Sequence, residues 1–299
     1  LVDTAGNAQP LRMPGPSFQY PRGSRDGRRV AYQAEYSDGP GIAVFEIGGR
    51  TEPLRITFGG PSQYPVWSAD GGRIIFQSTR DGAEGLFWQM SDGSGVPERL
   101  TTAKGESHIP ESVTPDGAWL TFTVARDQVS EIWRLSLITR KAELLIGAPN
   151  ARMSQSALSR DGRWIAYQST ETGKAEIFVQ QFPPIEGTKY LVPPANDNHH
   201  PIWAPEGSGI YYVPGPRLFA RVSITTVPRF GFGTPQQFEL NRLARTGGPN
   251  QLRRLDIMPD GKRFIGVWPE DLGKPSTNVE RRIVVIQNWN EELKRLMSR

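Results

Sequence analysis

Tyr64-Pro65-Val66-Trp67-Ser68-Ala69-Asp70-Gly71-Gly72-Arg73-Ile74-Ile75-Phe76-Gln77-Ser78 reads as strand, tight turn, strand. Gly at such a turn accepts positive φ, and the Asp before it hydrogen-bonds its own backbone. The run Ile74-Ile75-Phe76 suits a strand buried on both faces. A single hairpin is marginal in water, so this one needs neighbours.

The chain supplies them. The turn recurs at Asp26-Gly27, Asp70-Gly71, Asp116-Gly117, Asp161-Gly162, Glu206-Gly207 and Asp260-Gly261, at intervals of 44, 46, 45, 45 and 54 residues. That period is what one four-stranded propeller blade needs. Each turn leads into an apolar strand: Val30-Ala31-Tyr32, Ile74-Ile75-Phe76, Leu120-Thr121-Phe122, Ile165-Ala166-Tyr167, Ile210-Tyr211-Tyr212 and Phe264-Ile265. Third strands are expected at Ile42–Ile47, Leu86–Met90, Ile132–Leu137, Ile177–Phe182, Leu218–Ile224 and Ile283–Gln287. Short outer strands follow in five units, at Pro53–Thr57, Glu98–Thr101, Ala142–Ile146, Lys189–Val192 and Pro235–Leu240. The sixth unit has none of its own, and Ala8–Arg12 has the look of the missing piece.

The expected architecture is therefore all-β: a six-bladed propeller of four-stranded antiparallel blades over residues 1–288, closed by an N-terminal strand completing the last blade. Residues 289–299 are expected to form a short helix packed on the rim, because Leu293, Leu296 and Met297 make one apolar stripe. Two polar stretches in the last unit, Asn241–Asn250 and Pro269–Asn278, read as solvated loops.

Composition narrows the function classes. With 35 basic and 31 acidic residues among 299, the net charge is +4 and no charge block resembles a nucleic-acid footprint. Only seven of the cations are Lys, so Arg dominates; it favours bidentate and stacked contacts with anions. There is no cysteine, which excludes disulfides and thiol chemistry, and no window of 18 apolar residues to span a membrane. The chain opens Leu1-Val2-Asp3 and reads as a segment cut from a longer precursor.

Candidate binding residues sit where the innermost strands begin, at the mouth of the channel. Two positions before the signature Pro, or its equivalent, stand Gln19, Gln63, His108, Ser154, His199 and Arg253, all polar. The next position holds Tyr20, Tyr64, Ile109, Gln155, His200 and Arg254. Polar side chains in a strand packed on both faces make sense where that face opens onto channel water. The ring suits a small molecule, a glycan, a carboxylate or a peptide. By this count His108 and His199 are equivalent and could face each other across the channel. Adjacent His199 and His200 should point to opposite faces of their strand. No histidine spacing is diagnostic for a metal, so neither a metal nor a cofactor is expected. No Gly-x-Ser-x-Gly elbow is present either.

The repeat resembles the TolB-like, WD40-like bacterial propellers, whose units carry Pro-x-Trp-Ser-Pro-Asp-Gly. Pro65–Gly71 and Pro201–Gly207 match best, and the Trp position holds Gly23, Val113, Leu158 and Ile257 in the others. A narrower resemblance rests on Asp161–Ser169, Arg217–Val222 and Ile283–Lys294. These phrases are similar to those of propellers joined to bacterial serine/threonine kinases. The resemblance implies a non-catalytic, extracytoplasmic sensing or docking domain of a larger signalling protein, anchored by a transmembrane helix outside this chain. Kinase signatures themselves are absent: there is no His-Arg-Asp, Asp-Phe-Gly or glycine-rich phosphate loop. A free-standing TolB-like periplasmic scaffold is one alternative, and a carbohydrate-active enzyme with a channel metal is another. On every reading this chain contacts neither nucleic acid nor membrane.

Overall fold

Each repeat is pinned by the same turn chemistry. At Ser68, the N–H donates to Arg73 O (2.9 Å) and Gly71 N–H donates back to Ser68 O (3.0 Å). The Ser68 hydroxyl donates to Asp70 Oδ1 (2.6 Å), and that oxygen accepts from Gly72 N–H (2.9 Å). These bonds hold the Asp70 carboxyl below its ordinary pKa, the Ser68 hydroxyl bond being the main cause. Gly71 sits at φ 69°, in the left-handed region that an L side chain avoids. The other five turn glycines, Gly27, Gly117, Gly162, Gly207 and Gly261, also have positive φ. Ser24, Thr114 and Ser159 repeat the hydroxyl-to-Asp bond, with Asp26, Asp116 and Asp161.

The structure is a computed structural model describing residues 9–11, 18–49, 51–194, 197–215, 218–239, 248–261, 263–269 and 281–286. Among these residues the strands form six antiparallel sheets. Sheet I contains Phe18–Gly23, Arg29–Tyr36, Gly39–Glu46 and Leu54–Arg55. Sheet II contains Ser62–Trp67, Arg73–Ser78, Gly85–Met90 and Glu98–Arg99, and sheet III Ser107–Val113, Trp119–Ala125, Ser130–Ser136 and Ala142–Ile146. Sheet IV contains Met153–Leu158, Trp164–Ser169, Glu176–Gln181 and Tyr190–Leu191. In sheet V, His199–Trp203, Gly209–Gly215 and Leu218–Thr225 are followed by Gly231–Phe232 and Gln236–Glu239, both pairing with Leu218–Thr225. Sheet VI runs Leu255–Ile257, Phe264–Pro269, Arg281–Ile286 and then Gln9–Leu11, with Gln9 opposite Val285 and Leu11 opposite Ile283.

Most outer strands are shorter than expected, because only two residues of each pair with the sheet. The extra strand Gly231–Phe232 was not legible in so short a segment. A single helical turn, Arg80–Gly82, is present among the described residues. The expected tail helix at 289–299 lies outside them, as do residues 241–247 and 270–278 of the two polar stretches.

Packing joins each sheet to the next. Six buried clusters are each shared by two sheets: I with II through Ala31, Ile42, Trp67 and Phe76, II with III through Ile75, Leu86 and Phe122. Sheets III and IV share Ile132, Met153 and Tyr167, IV and V share Trp164, Val179 and Tyr212, and V and VI share Tyr211, Phe219 and Phe264. The last cluster returns to sheet I, packing Phe18, Val30 and Tyr32 on Met258 and Ile265 of sheet VI. The signature Trp joins neighbours by polarity as well. Trp67 Nε1 donates to Arg22 O of sheet I (2.9 Å), and Trp203 Nε1 to Ala157 O of sheet IV (2.8 Å). Units without Trp at that position forgo this bond and are tied to a neighbour by others, as Gly23 N–H is to Asp256 and Leu158 N–H to Ser112 Oγ.

Candidate functional site

The first strands of the sheets converge on a common axis, and those of sheets I to V carry a register shift there. In sheet II, Gln63 opposes Gln77 but Val66 opposes Ile75, so one extra residue loops out. Sheets I, IV and V do the same after Gln19, Ser154 and His199. The bulge puts Tyr20, Tyr64, Gln155 and His200 at φ 51°, 57°, 60° and 58°. Left-handed backbone costs a bulky residue about 1–2 kcal/mol, and it recurs here four times at one ladder position.

Three consequences correct the simple strand picture. First, the two histidines do not point apart: His199 Nδ1 lies 2.9 Å from His200 Nδ1, with the rings edge-on and their centroids 4.5 Å apart. Alternation fails because His200 sits in the bulge with left-handed backbone. Secondly, His108 and His199 are not equivalent. His199 opposes Val213, as Gln63 opposes Gln77, whereas the matching residue of sheet III is Ile109, opposite Thr123. Counting from the Pro shifted that unit by one. Thirdly, His108 turns away from the axis: its Nδ1 is 2.8 Å from Thr101 Oγ1 of sheet II, and its ring packs on Phe122.

What does meet on the axis is a charged cluster. A small void of about 20 Å3 is lined from sheets I, II, III, IV and the approach to VI, by Arg22, Tyr64, Ile109, Glu111, Gln155 and Arg253 among others. Tyr20 packs edge-on against Tyr64, with centroids 4.9 Å apart. Arg22 donates to Pro21 O (2.8 Å) and Arg253 O (3.2 Å), and Arg253 donates to Pro201 O (2.9 Å). The Nε atoms of Arg22, Arg253 and Arg254 are sealed from solvent and meet no acceptor among the described residues. Burial, then the nearby Arg253 charge, pushes the Arg22 pKa down to about 9, which leaves it protonated at neutral pH.

Two carboxylates sit against these cations. Asp256 accepts from Gly23 N–H (3.2 Å) and lies 3.8 Å from Arg253. Glu111 accepts from Thr123 Oγ1 (2.5 Å), Gln155 N–H (2.6 Å) and Ser156 N–H (2.8 Å), and also from the Ser156 hydroxyl. Burial raises the Glu111 pKa, against the pull of those donors. Its bonds tie sheet III to sheet IV, so its acceptor capacity is already used.

One mouth is crossed by residues Gly248 to Leu252. Pro249 O accepts from Gln168 Nε2 (2.8 Å), while Gln251 O is bonded by Gln155 Nε2 (3.2 Å) and lies 2.6 Å from His200 Nε2. The end of the expected solvated loop is thus anchored over the channel. His200 is buried, and burial first, His199 second, pushes its pKa down to about 3; burial pushes His199 down to about 4. Both imidazoles are neutral at pH 7.

Of the sequence-derived ring, Tyr20, Tyr64, Ile109, Gln155, His200 and Arg253 meet around the axis. His108 does not join them. Gln19, Gln63 and Ser154 stand one step before the bulge, opposite Gln33, Gln77 and Gln168. Gln63 leads into Tyr64, and Arg254 lies close enough to Tyr64 to act on its hydroxyl. The ring drawn from the sequence left out Arg22, Glu111 and Asp256. A signal was available for two of them: Arg22 and Asp256 occupy the ladder position held by Val66 and Ile202 in the best-matching units, so each is a charge where an apolar residue is expected. Among the described residues no group of three metal-ligating side chains comes together. No helix among them is long and apolar enough to cross a membrane.

No curated protein matches the chain by sequence. Solved structures do match in fold. A protein described as TolB from Agrobacterium tumefaciens superposes with a TM-score of 0.65 at 18% identity, over 91% of this chain and 90% of that one. TolB from Acinetobacter baumannii gives 0.60 at 17% identity over 88% of this chain, which spans 64% of that protein. An oligogalacturonate lyase in complex with manganese gives 0.60 at 11% identity, over 95% and 96% of the two chains. Likenesses at such identities speak to fold alone. A family sequence profile reaches further, matching residues 5–226, and by it the chain belongs to the TolB β-propeller domain family.

Proposed function

We propose that this chain is a six-bladed propeller, closed by Gln9–Leu11 on the last blade, that binds a protein or ligand at the axial channel and catalyses nothing. The observation that carries the reading is the convergence of Arg22, Arg253 and Arg254 with three sealed, unpartnered Nε donors. Buried donors without acceptors cost about 1–3 kcal/mol each, and like charges in one site repel. An acidic group entering the channel relieves both. Four left-handed residues at the same mouth support a ligand-facing role, since strain of this kind persists where the surrounding fold over-determines it.

The partner group is a carboxylate presented by a peptide or protein. Arg suits it because its fork pairs carboxylate oxygens bidentately. The domain is extracytoplasmic and serves as the sensing or docking part of a larger bacterial signalling protein of the serine/threonine kinase type. That placement is supported by the phrases Asp161–Ser169 and Ile283–Lys294 and by membership of the TolB propeller family. The complete reading frame tests it: a kinase and a membrane helix encoded upstream of Leu1 are expected, and their absence overturns this part.

Thermal-shift titration tests the binding. A short peptide rich in Asp and Glu is expected to stabilise the wild type, while its Asn/Gln counterpart does not. Arg253→Ala should remove the effect. Equal stabilisation by both peptides, or of both proteins, places the site elsewhere.

A further inference from the structure

A second concavity lies away from the axis, between sheets II and III, and shares no residue with the channel site. Its volume is about 310 Å3, within the range of about 300–1,000 Å3 in which proteins hold small organic ligands. Leu100, Phe122, Val124 and Leu135 form an apolar floor, all of them buried, and Trp133 supplies a wall.

Polar groups inside it are already arranged. His108 Nδ1 is 2.8 Å from Thr101 Oγ1, and its Nε2 is 3.4 Å from Glu106 Oε1. The Thr101 oxygen also accepts from Leu86 N–H (3.0 Å). Burial lowers the His108 pKa, with Glu106 opposing, so the imidazole is neutral at pH 7. A neutral ring beside a carboxylate carries its proton on Nε2, which leaves Nδ1 to take the Thr101 hydroxyl proton. The network is satisfied within itself and fixes the ring of His108 edge-on to Phe122, with centroids 5.3 Å apart.

Positive charge gathers at the lining. Arg126 and Trp133 are both held by Glu131, with N–O distances of 2.8 and 3.0 Å. Arg140 stacks 4.0 Å over Trp88 and lies 3.6 Å from Glu98. Lys104, exposed, has no ion-pair partner among the described residues. Of the three lining cations, Arg126 and Arg140 are matched by Glu131 and Glu98, so Lys104 is the one without an ion pair among the described residues, at the edge of an apolar floor. An uncharged ligand leaves the Lys104 charge unused, and a cation meets its repulsion.

We propose that the cavity between sheets II and III binds a small organic anion with a flat apolar body, an aryl carboxylate, its ring against Phe122 and Trp133 and its carboxylate at Lys104 and the rim arginines. The proposal is independent of the channel reading.

Isothermal titration with 2-naphthoate, and with neutral 2-naphthamide as its isostere, tests it on the intact chain. One 2-naphthoate is expected to bind per chain, and 2-naphthamide should bind at least about tenfold more weakly, as the loss of one charge-assisted contact implies. Lys104→Glu should weaken 2-naphthoate by about tenfold or more, since it turns attraction into repulsion. Ala142→Trp, at the exposed lip of the cavity and opposite Leu135 in the strand pair, should abolish binding, with a cooperative melting transition showing that the fold is kept. Arg253→Ala should leave binding intact. No saturable binding, equal affinity for the amide, or binding that survives Ala142→Trp overturns the proposal; loss of binding in Arg253→Ala assigns the ligand to the channel and overturns it too.

Discussion

The paired imidazoles of His199 and His200 make acid sensitivity a calculable property of the fold. Burial pushes the two pKa values down to about 4 and about 3. In the unfolded chain both return to about 6.5. A depressed histidine contributes stability that is fully present above the unfolded pKa and is lost as pH falls towards the folded one, because the unfolded state takes up the proton first. At pH 5.5 an unfolded imidazole is about nine-tenths protonated and a folded one of pKa 4 almost not at all, which amounts to roughly 1–2 kcal/mol per group and about 3 kcal/mol for the pair. Urea unfolding measured at about pH 8 and about pH 5.5 reads this difference directly, as a shift in midpoint at constant slope. The double variant His199→Gln/His200→Asn supplies the control, Asn being tolerant of the left-handed backbone at 200. It removes the pair but leaves Glu111 and His108 titrating as before. The wild type should lose about 3 kcal/mol more than the variant over that interval. Parallel losses in the two proteins would refute the reasoning and mean that the imidazoles are open to water.

Other perturbations test the packing directly. Gly71→Ala forces a Cβ onto a residue at φ 69°, with Arg29 Nη2 only 3.2 Å from it, and should cost about 1–2 kcal/mol in chemical denaturation. Trp67→Phe removes the indole bond to the Arg22 backbone carbonyl and should cost about 1 kcal/mol or somewhat more in chemical denaturation. Glu111→Ala strands donors from Thr123, Gln155 and Ser156 and should cost on the order of 3 kcal/mol, well beyond Glu111→Gln, which keeps one acceptor. Deleting residues 1–13 removes the strand opposite Arg281–Ile286 and bares a sheet edge, so melting should fall and association rise in light scattering; an unchanged melting curve contradicts the closure.

The repeated turn made the fold legible. Ser68-x-Asp70-Gly71 and its relatives state their conformation locally: the hydroxyl, the carboxylate and the glycine each have one role in one turn. The apolar strands after the turns were equally plain, because their burial follows from composition. The bulge was not. Its geometry arises when a sheet's first strand bends towards the axis, and neither Tyr64 nor His200 advertises a left-handed backbone. Missing it put His199 and His200 on opposite faces, and counting from Pro110 misplaced His108 by one ladder step. The charged heart of the channel was only half visible, since Arg22 and Asp256 break the apolar pattern of their strands while Glu111 stands at a position that varies, holding Pro in three units and Ser156 and Leu255 in two.

The central claim is that the axial arginines form an anion site. Crystals of the chain soaked in bromide and recorded at the bromine edge test it most directly. An anomalous peak on the axis, within hydrogen-bond reach of the Arg22 and Arg253 guanidinium groups and lost in Arg253→Ala crystals, is the predicted result. Peaks confined to the outer surface, with the channel void holding no anion, would contradict it.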